Sequence, residues 1–393
     1  MKTKLKKNIL AVWLEGRVDT NNYQQVDNEL QEVLAGSEVS SLIINAEDLN
    51  YISSAGIRIL VKLRKQFGDY KIINVSDDVY DIFQVTGMTE VLDIRKKLRS
   101  ISIDGCEKIA EGMNGEVYRI DEDKIVKVYK SWISMDSIEK ERTYARTAFV
   151  NGIPSVIAYD TVKCGDNLGV VFELINSDTL ANVIKNDPEN LDNYVDQYVE
   201  LARNLHSTHV PVGSFPDIHD LLYSRLPKLE RWCTPSELSV LESIIEFIPY
   251  GDTITHNYLT PSNIMFQDGE LVIIDMHEVT MGPPICDLVS IYKDMIAAPK
   301  QIPQVAEENI GMPADLITKV GNMFLSRYTG ITEELTFQNY LSQLNLIYTV
   351  DACFTVANGS EEAEELAPAI INQLLRGVVI PNEQAIKQIY NGF

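Results

Sequence analysis

Residues 255–266 read THNYLTPSNIMF, and residues 271–279 read LVIIDMHEV. The fold reading turns on these two stretches. Asp275 closes an apolar, strand-like run twelve residues after Asn263. A carboxylate leaving such a strand, with an amide upstream as second ligand, offers hard oxygens that hold magnesium against ATP phosphates. Further upstream, Lys127 lies in KIVKVYK between Val126 and Val128. On a strand its side chain faces away from those two apolar neighbours. A lysine so placed can hold the α- and β-phosphates and pair with a helix carboxylate. Lys124 and Lys130 stand as alternatives with less apolar flanking. Residues 137–150 read as a helix with Glu139 and Glu141, of which Glu141 is the favoured partner of Lys127. Residues 111–118 form a turn containing Gly112, Met113 and Gly115 between strand-like runs. Backbone amides in such a turn can approach phosphate.

His256, Leu259, Asn263, Ile264 and Asp275 fit one register of a known pattern. Residues 105–393 resemble the kinase-like phosphotransferases that include aminoglycoside phosphotransferases and choline/ethanolamine kinases. THNYLTPSNIM looks like their H-G/N-D-L-x-x-x-N-I loop. VIIDMHEVTMGPPICDL looks like their metal-binding segment with its downstream aspartate, here Asp287. LARNLHS looks like their helix ending in Leu-His. The resemblance implies an α+β, two-lobed protein kinase-like domain, with a small lobe at about 105–176 and a helical lobe at about 177–393. It implies ATP and magnesium as cofactors. Gly112, Gly115, Lys127 and Glu141 would bind the nucleotide, and Asn263 and Asp275 the metal.

Tyr258 departs from the pattern. The family's aspartate belongs there, beside His256, to orient the acceptor hydroxyl and take its proton. A phenol with an ordinary pKa of about 10 is neutral at pH 7. General-base assistance is worth about a hundred- to ten-thousand-fold in rate. His256, Asp252 and His277 are near in sequence, but none stands at a spacing that favours it as a replacement. The expectation is a nucleotide-binding module with weak or absent transfer. An active small-molecule phosphotransferase using another base, on an amino-alcohol or aminoglycoside-like acceptor, is the alternative.

Residues 1–97 have a different texture. Strand-like runs at 8–14, 41–45 and 70–75 alternate with helical patterns at 21–34, 53–67 and 79–85. Such alternation argues for an α/β sheet with crossover helices. In LNYISSAGIRIL, Ser53 or Ser54 can cap a helix and Gly56 permits close approach. This region resembles the STAS domain of bacterial anti-sigma factor antagonists, through its element order, this turn and the closing VYDIFQVTGMTEVLDI. Ser54 falls on the family's phosphorylatable serine, and Ser53 replaces its usual aspartate. The resemblance implies a protein partner or self-association. The basic run at 95–99 reads as the linker, and helical patterns at 193–206, 236–246, 317–328, 335–354 and 361–375 fill the rest.

Composition sets the frame. The 34 Lys and Arg face 57 Asp and Glu, a formal net charge of -23. So acidic a chain disfavours nucleic acid and anionic membrane as partners. No stretch approaches the roughly 20 apolar residues of a membrane span. Five scattered cysteines, none at CxxC spacing, point to reduced thiols and a cytoplasmic protein.

Overall fold

A computed structural model describes residues 1–6, 8–35, 40–68, 70–112, 114–358 and 361–392. Met113, part of the glycine turn, lies outside the described residues. The chain divides into two compact units, Met1–Ser102 and Ile103–Phe393.

The first unit holds β1 (Lys2–Lys6), β2 (Ile9–Val18), α1 (Tyr23–Ala35), β3 (Ser41–Ile52), α2 (Ser54–Phe67), β4 (Lys71–Val75), α3 (Asp77–Val85), β5 (Asp93–Lys96) and β6 (Arg99–Ile101). Its sheet runs in the order β1-β2-β3-β4-β5. The β1–β2 pair is antiparallel and the others are parallel. Leu10, Val12, Leu42, Ile44 and Ile72 on the strands pack with Leu30, Leu60, Leu63, Val79 and Phe83 on the helices. Each such buried side chain contributes roughly 1.5–3 kcal/mol. Two expectations need correction. Lys2–Lys6, ahead of the first strand-like run read from the sequence, is an edge strand. Arg95 and Lys96, read as linker, belong to β5, where Arg95 grips Asp93 at 2.9 Å.

At the start of α2 the serines separate. Ser53 is the cap, accepting from the Gly56 amide at 3.4 Å, and Ser54 is exposed in the first turn. Gly56 is sterically required: a Cβ there would lie 2.6 Å from Ile52 Cγ1 and 2.9 Å from Val18 Cγ1.

The second unit begins with β7 (Glu107–Glu111), β8 (Gly115–Arg119), β9 (Lys124–Tyr129), α4 (Met135–Val150), β10 (Ala158–Cys164) and β11 (Asn167–Glu173). The strands pair antiparallel in the order β10-β11-β9-β8-β7. The helical part follows: β12 (Asp178–Thr179), α5 (Leu180–Asn186), α6 (Leu191–Ser207), α7 (Ile218–Arg225), α8 (Pro235–Ile245), β13 (Ile254–Thr255), β14 (Ile264–Gln267), β15 (Glu270–Ile273), β16 (Thr280–Met281), α9 (Ile285–Tyr292), α10 (Ala298–Gln301), α11 (Pro303–Ile310), α12 (Ala314–Thr329) and α13 (Glu334–Thr355). The helix read at 361–375 is α-helical only over Glu361–Ile370 and continues as a π-helix over Ile371–Val379. One continuous core runs from Tyr129, Ile138 and Phe172 through Tyr198 and Ile244 to Leu344 and Tyr390. Among the described residues no helix is long and apolar enough to cross a membrane.

Candidate nucleotide and acceptor site

Lys127 sits on β9 with Val126 and Val128 buried on the opposite face. Its Nζ lies 2.7 Å from Glu141 Oε1 on α4 and 2.9 Å from Asp275 Oδ1. Burial alone would strip its proton, but the two carboxylates prevail and hold it above the ordinary lysine value. Lys124 instead pairs with Asp123, and Lys130 lies over the exposed Trp132 ring. Glu139 is taken by Arg142 at 2.7 Å. Geometry therefore selects Lys127 and Glu141 from the alternatives.

Asp275 follows β15 with φ of 63°, a left-handed backbone that Asp tolerates better than most residues. Its Oδ1 also meets His277 Nδ1 at 3.0 Å. Burial opposes its ionisation, yet His277 and Lys127 hold the carboxyl well below the usual range. Asn263 donates from Nδ2 to the Tyr258 carbonyl at 3.0 Å. No hydrogen bond to its Oδ1 occurs among the described residues. One amide oxygen and one carboxylate are the hard ligands that magnesium takes when phosphates and water fill its remaining positions. The donor set present fits that ion and a nucleotide.

The glycine turn has two unlike members. A Cβ on Gly115 would lie 2.3 Å from the Val128 carbonyl oxygen, so close pairing with β9 demands glycine. A Cβ on Gly112 would meet nothing within 4 Å. The Gly112 amide closes the hairpin on the Gly115 carbonyl at 2.9 Å.

The loop at 255–263 is carried from behind. Asp287 on α9 is fully buried and accepts from the His256 amide at 2.8 Å and the Asn257 amide at 2.5 Å. His206, at the end of α6, meets the same carboxylate at 2.9 Å. Asn257 has φ of 62°, and its carbonyl accepts from Ser290 at 2.6 Å. The sequence marked Asp287 and the Leu-His helix end separately, and the structure joins them as one anchor. His256, paired with Tyr258 as catalytic on sequence grounds, is fully buried and bonds Nε2 to the Ile274 carbonyl at 3.2 Å. Among the described residues its Nδ1 has no partner, burial pushes its pKa down, and its side chain is absent from the cavity lining, so the structure shows it bracing the Asp275 segment and not facing the cavity. Asp252 is occupied with His209 at 2.8 Å, outside the cavity.

Tyr258 lines a cavity of about 1100 Å³ together with Gly112, Gly115, Lys127, Asn263 and Asp275. Burial, aided by Asp294, pushes its phenol up, so it is a proton donor at pH 7. Lys293 Nζ lies 5.9 Å from the Tyr258 ring centroid and 3.6 Å from Asp294 Oδ2. Burial pushes Asp294 up to about 6, against the pull of Lys293. The Lys293–Asp294 pair and Asp351, also at the cavity wall, were not singled out in the sequence. Lys293 and Asp294 open the π-helical turn Lys293–Ala297 after α9, and only tertiary packing brings that turn and α13 to one cavity, so no local pattern could have shown them.

Comparison with known proteins gives two family matches. Residues 105–313 match the phosphotransferase enzyme family, and residues 1–101 match the STAS domain. Among solved structures, the ADP-bound aminoglycoside phosphotransferase APH(2'')-Ib aligns with a TM-score of 0.46 at 16% identity, covering 75% of this chain and 96% of its own. A choline/ethanolamine kinase family protein from Mesorhizobium loti gives 0.43 at 15%, covering 72% and 92%. The anti-sigma factor antagonist SpoIIAA in its unphosphorylated form gives 0.22 at 18%, covering 24% of this chain and 85% of its own. Among curated proteins, a lysine-specific demethylase of Arabidopsis thaliana is 32% identical over 84 residues, 21% of this chain. That match spans only 8% of the demethylase.

Proposed function

The chain belongs to the phosphotransferase enzyme family, with a STAS domain ahead of the matched region, and on that premise we propose that it is a bacterial-type, cytoplasmic regulatory protein. In this reading the second unit binds ATP with magnesium and transfers phosphate weakly or not at all. The STAS domain docks a protein partner or a second copy, with Ser54 as its modifiable residue, and nucleotide binding governs that docking. One observation carries the proposal: the Lys127–Glu141–Asp275 chain is intact while a phenol stands where the base belongs.

Each residue then has a task. Lys127, oriented by Glu141, meets the α- and β-phosphates, with Gly112 and Gly115 beside them at the cavity wall. Asn263 Oδ1 and the Asp275 carboxylate hold the metal. Bound magnesium would neutralise charge on the transferring phosphoryl group. Tyr258 can donate a hydrogen bond to an acceptor hydroxyl but cannot take its proton.

A second reading, a working small-molecule phosphotransferase, is favoured by the cavity that continues past Tyr258 to Lys293 and Asp351. Calorimetry with ATP and magnesium tests the nucleotide site, and no heat of binding at millimolar nucleotide would end the proposal. Turnover over a panel of acceptors separates the two readings. Turnover that appears only in Tyr258→Asp supports the regulatory protein, and fast turnover in the unaltered chain supports the enzyme.

A further inference from the structure

The helical end of the cavity has an unusual wall for a chain of net charge -23. Its charged members there are Arg225, Lys228, Lys293, Glu278, Glu308 and Asp351, three of each sign. Lys228, Glu278 and Glu308 are exposed at the rim. Deeper in, Lys293 is engaged by Asp294 at 3.6 Å. Asp351, on α13, has neither a hydrogen bond nor an ion pair among the described residues, although its charge acts on Lys293. Around these groups the lining is hydrocarbon: Leu222, Ile244, Ile248, Val289, Ile347 and Phe354 face the cavity and are otherwise buried.

A polycation entering such a chamber would lose water from several ammonium groups and meet, below the rim, one unengaged carboxylate. Each buried charge left without a partner is costly. A hydrocarbon body loses nothing by leaving water, and it gains with every apolar group covered. One ammonium can pair with Asp351.

We infer that the chamber takes a hydrophobic amino-alcohol, its apolar body among Ile244, Val289 and Phe354 and its single ammonium at Asp351, and not a polycationic sugar. This rests on the phosphotransferase reading only in treating the chamber as the acceptor end of the cavity.

The test is calorimetry on the full chain with phenylalaninol, ethanolamine, kanamycin and ATP–magnesium as separate titrants. Phenylalaninol is expected to bind at least about tenfold more tightly than ethanolamine or kanamycin. Asp351→Asn should weaken phenylalaninol by about tenfold, and Val289→Phe, which fills the chamber, should abolish its binding. Both variants should keep the parent affinity for ATP, which shows that they fold. Kanamycin or ethanolamine binding as tightly as phenylalaninol overturns the inference. So does phenylalaninol binding unchanged by Asp351→Asn. If ATP binds and none of the three amines does, the inference falls and the nucleotide site stands. If phenylalaninol binds through Asp351 while ATP does not, the inference stands and the nucleotide proposal fails.

Discussion

Replacing Lys127 by methionine removes a cation that two buried or half-buried carboxylates share. The Glu141 side chain is 5% exposed and that of Asp275 27%, with contacts of 2.7 and 2.9 Å to Nζ. Methionine preserves most of the stem volume, so the loss is chiefly electrostatic. Breaking a buried pair by removing one partner costs about 3–5 kcal/mol, because the remaining charge stays buried and unpaired. For a unit of this size that corresponds to a fall in Tm of about 5–8 °C. The assay is urea unfolding at pH 8, followed by tryptophan fluorescence in a Trp13→Phe background. Trp13 belongs to the first unit, so Trp132 and Trp232 then report the second alone. Adding Glu141→Gln removes one of the stranded charges. The double variant should therefore lose at least about 1 kcal/mol less than the two single losses added. Parent-like unfolding of Lys127→Met, or strict additivity of the pair, would show that Lys127 does not hold these carboxylates together.

Three further outcomes follow from particular contacts. Gly115→Ala should destabilise the second unit by about 1–3 kcal/mol and weaken ATP binding, because its Cβ would lie 2.3 Å from the Val128 carbonyl oxygen, whereas Gly112→Ala meets nothing within 4 Å and should leave stability nearly unchanged; thermal unfolding of the two variants checks the contrast. Asp294, pushed up to about 6, holds its proton more tightly folded than unfolded, so its contribution is full below about pH 4 and is lost as pH rises through about 6. Asp294→Asn should therefore gain stability relative to the parent by up to about 3 kcal/mol between pH 4 and pH 8, and parallel urea profiles at the two pH values would count against it. Ser53→Ala should cost the first unit about 0.5–1 kcal/mol, since the cap bond is long at 3.4 Å; the exposed Ser54→Ala should cost nothing measurable in the same denaturation experiment.

The sequence singles out the cluster of Lys127, Glu141 and Asp275 and gives hardly any sign of the cavity wall at Lys293 and Asp351. Lys127 and Asp275 are legible because each lies in or closes a short apolar run whose local geometry aims its side chain, and Asn263 because of its spacing from His256 and Asp275. The choice of Glu141 over Glu139 needed the helix register against β9, and there the structure decides. β10 went unread because its register shifts between Ala158 and Thr161, which breaks the alternation a strand is recognised by. β1 was missed because an edge strand of alternating lysines carries no buried face to mark it. Lys293, Asp294 and Asp351 come from two elements far apart in the chain, and no pattern in either announces the other.

Asp287, braced by His206, holds the 255–263 loop through backbone amides, and none of these contacts uses the side chain at 258. The frame of this loop is thus independent of the side chain at position 258. Tyrosine and aspartate codons differ by one nucleotide, so a carboxylate at position 258 lies a single genetic step away, with the frame that carries the loop left unchanged.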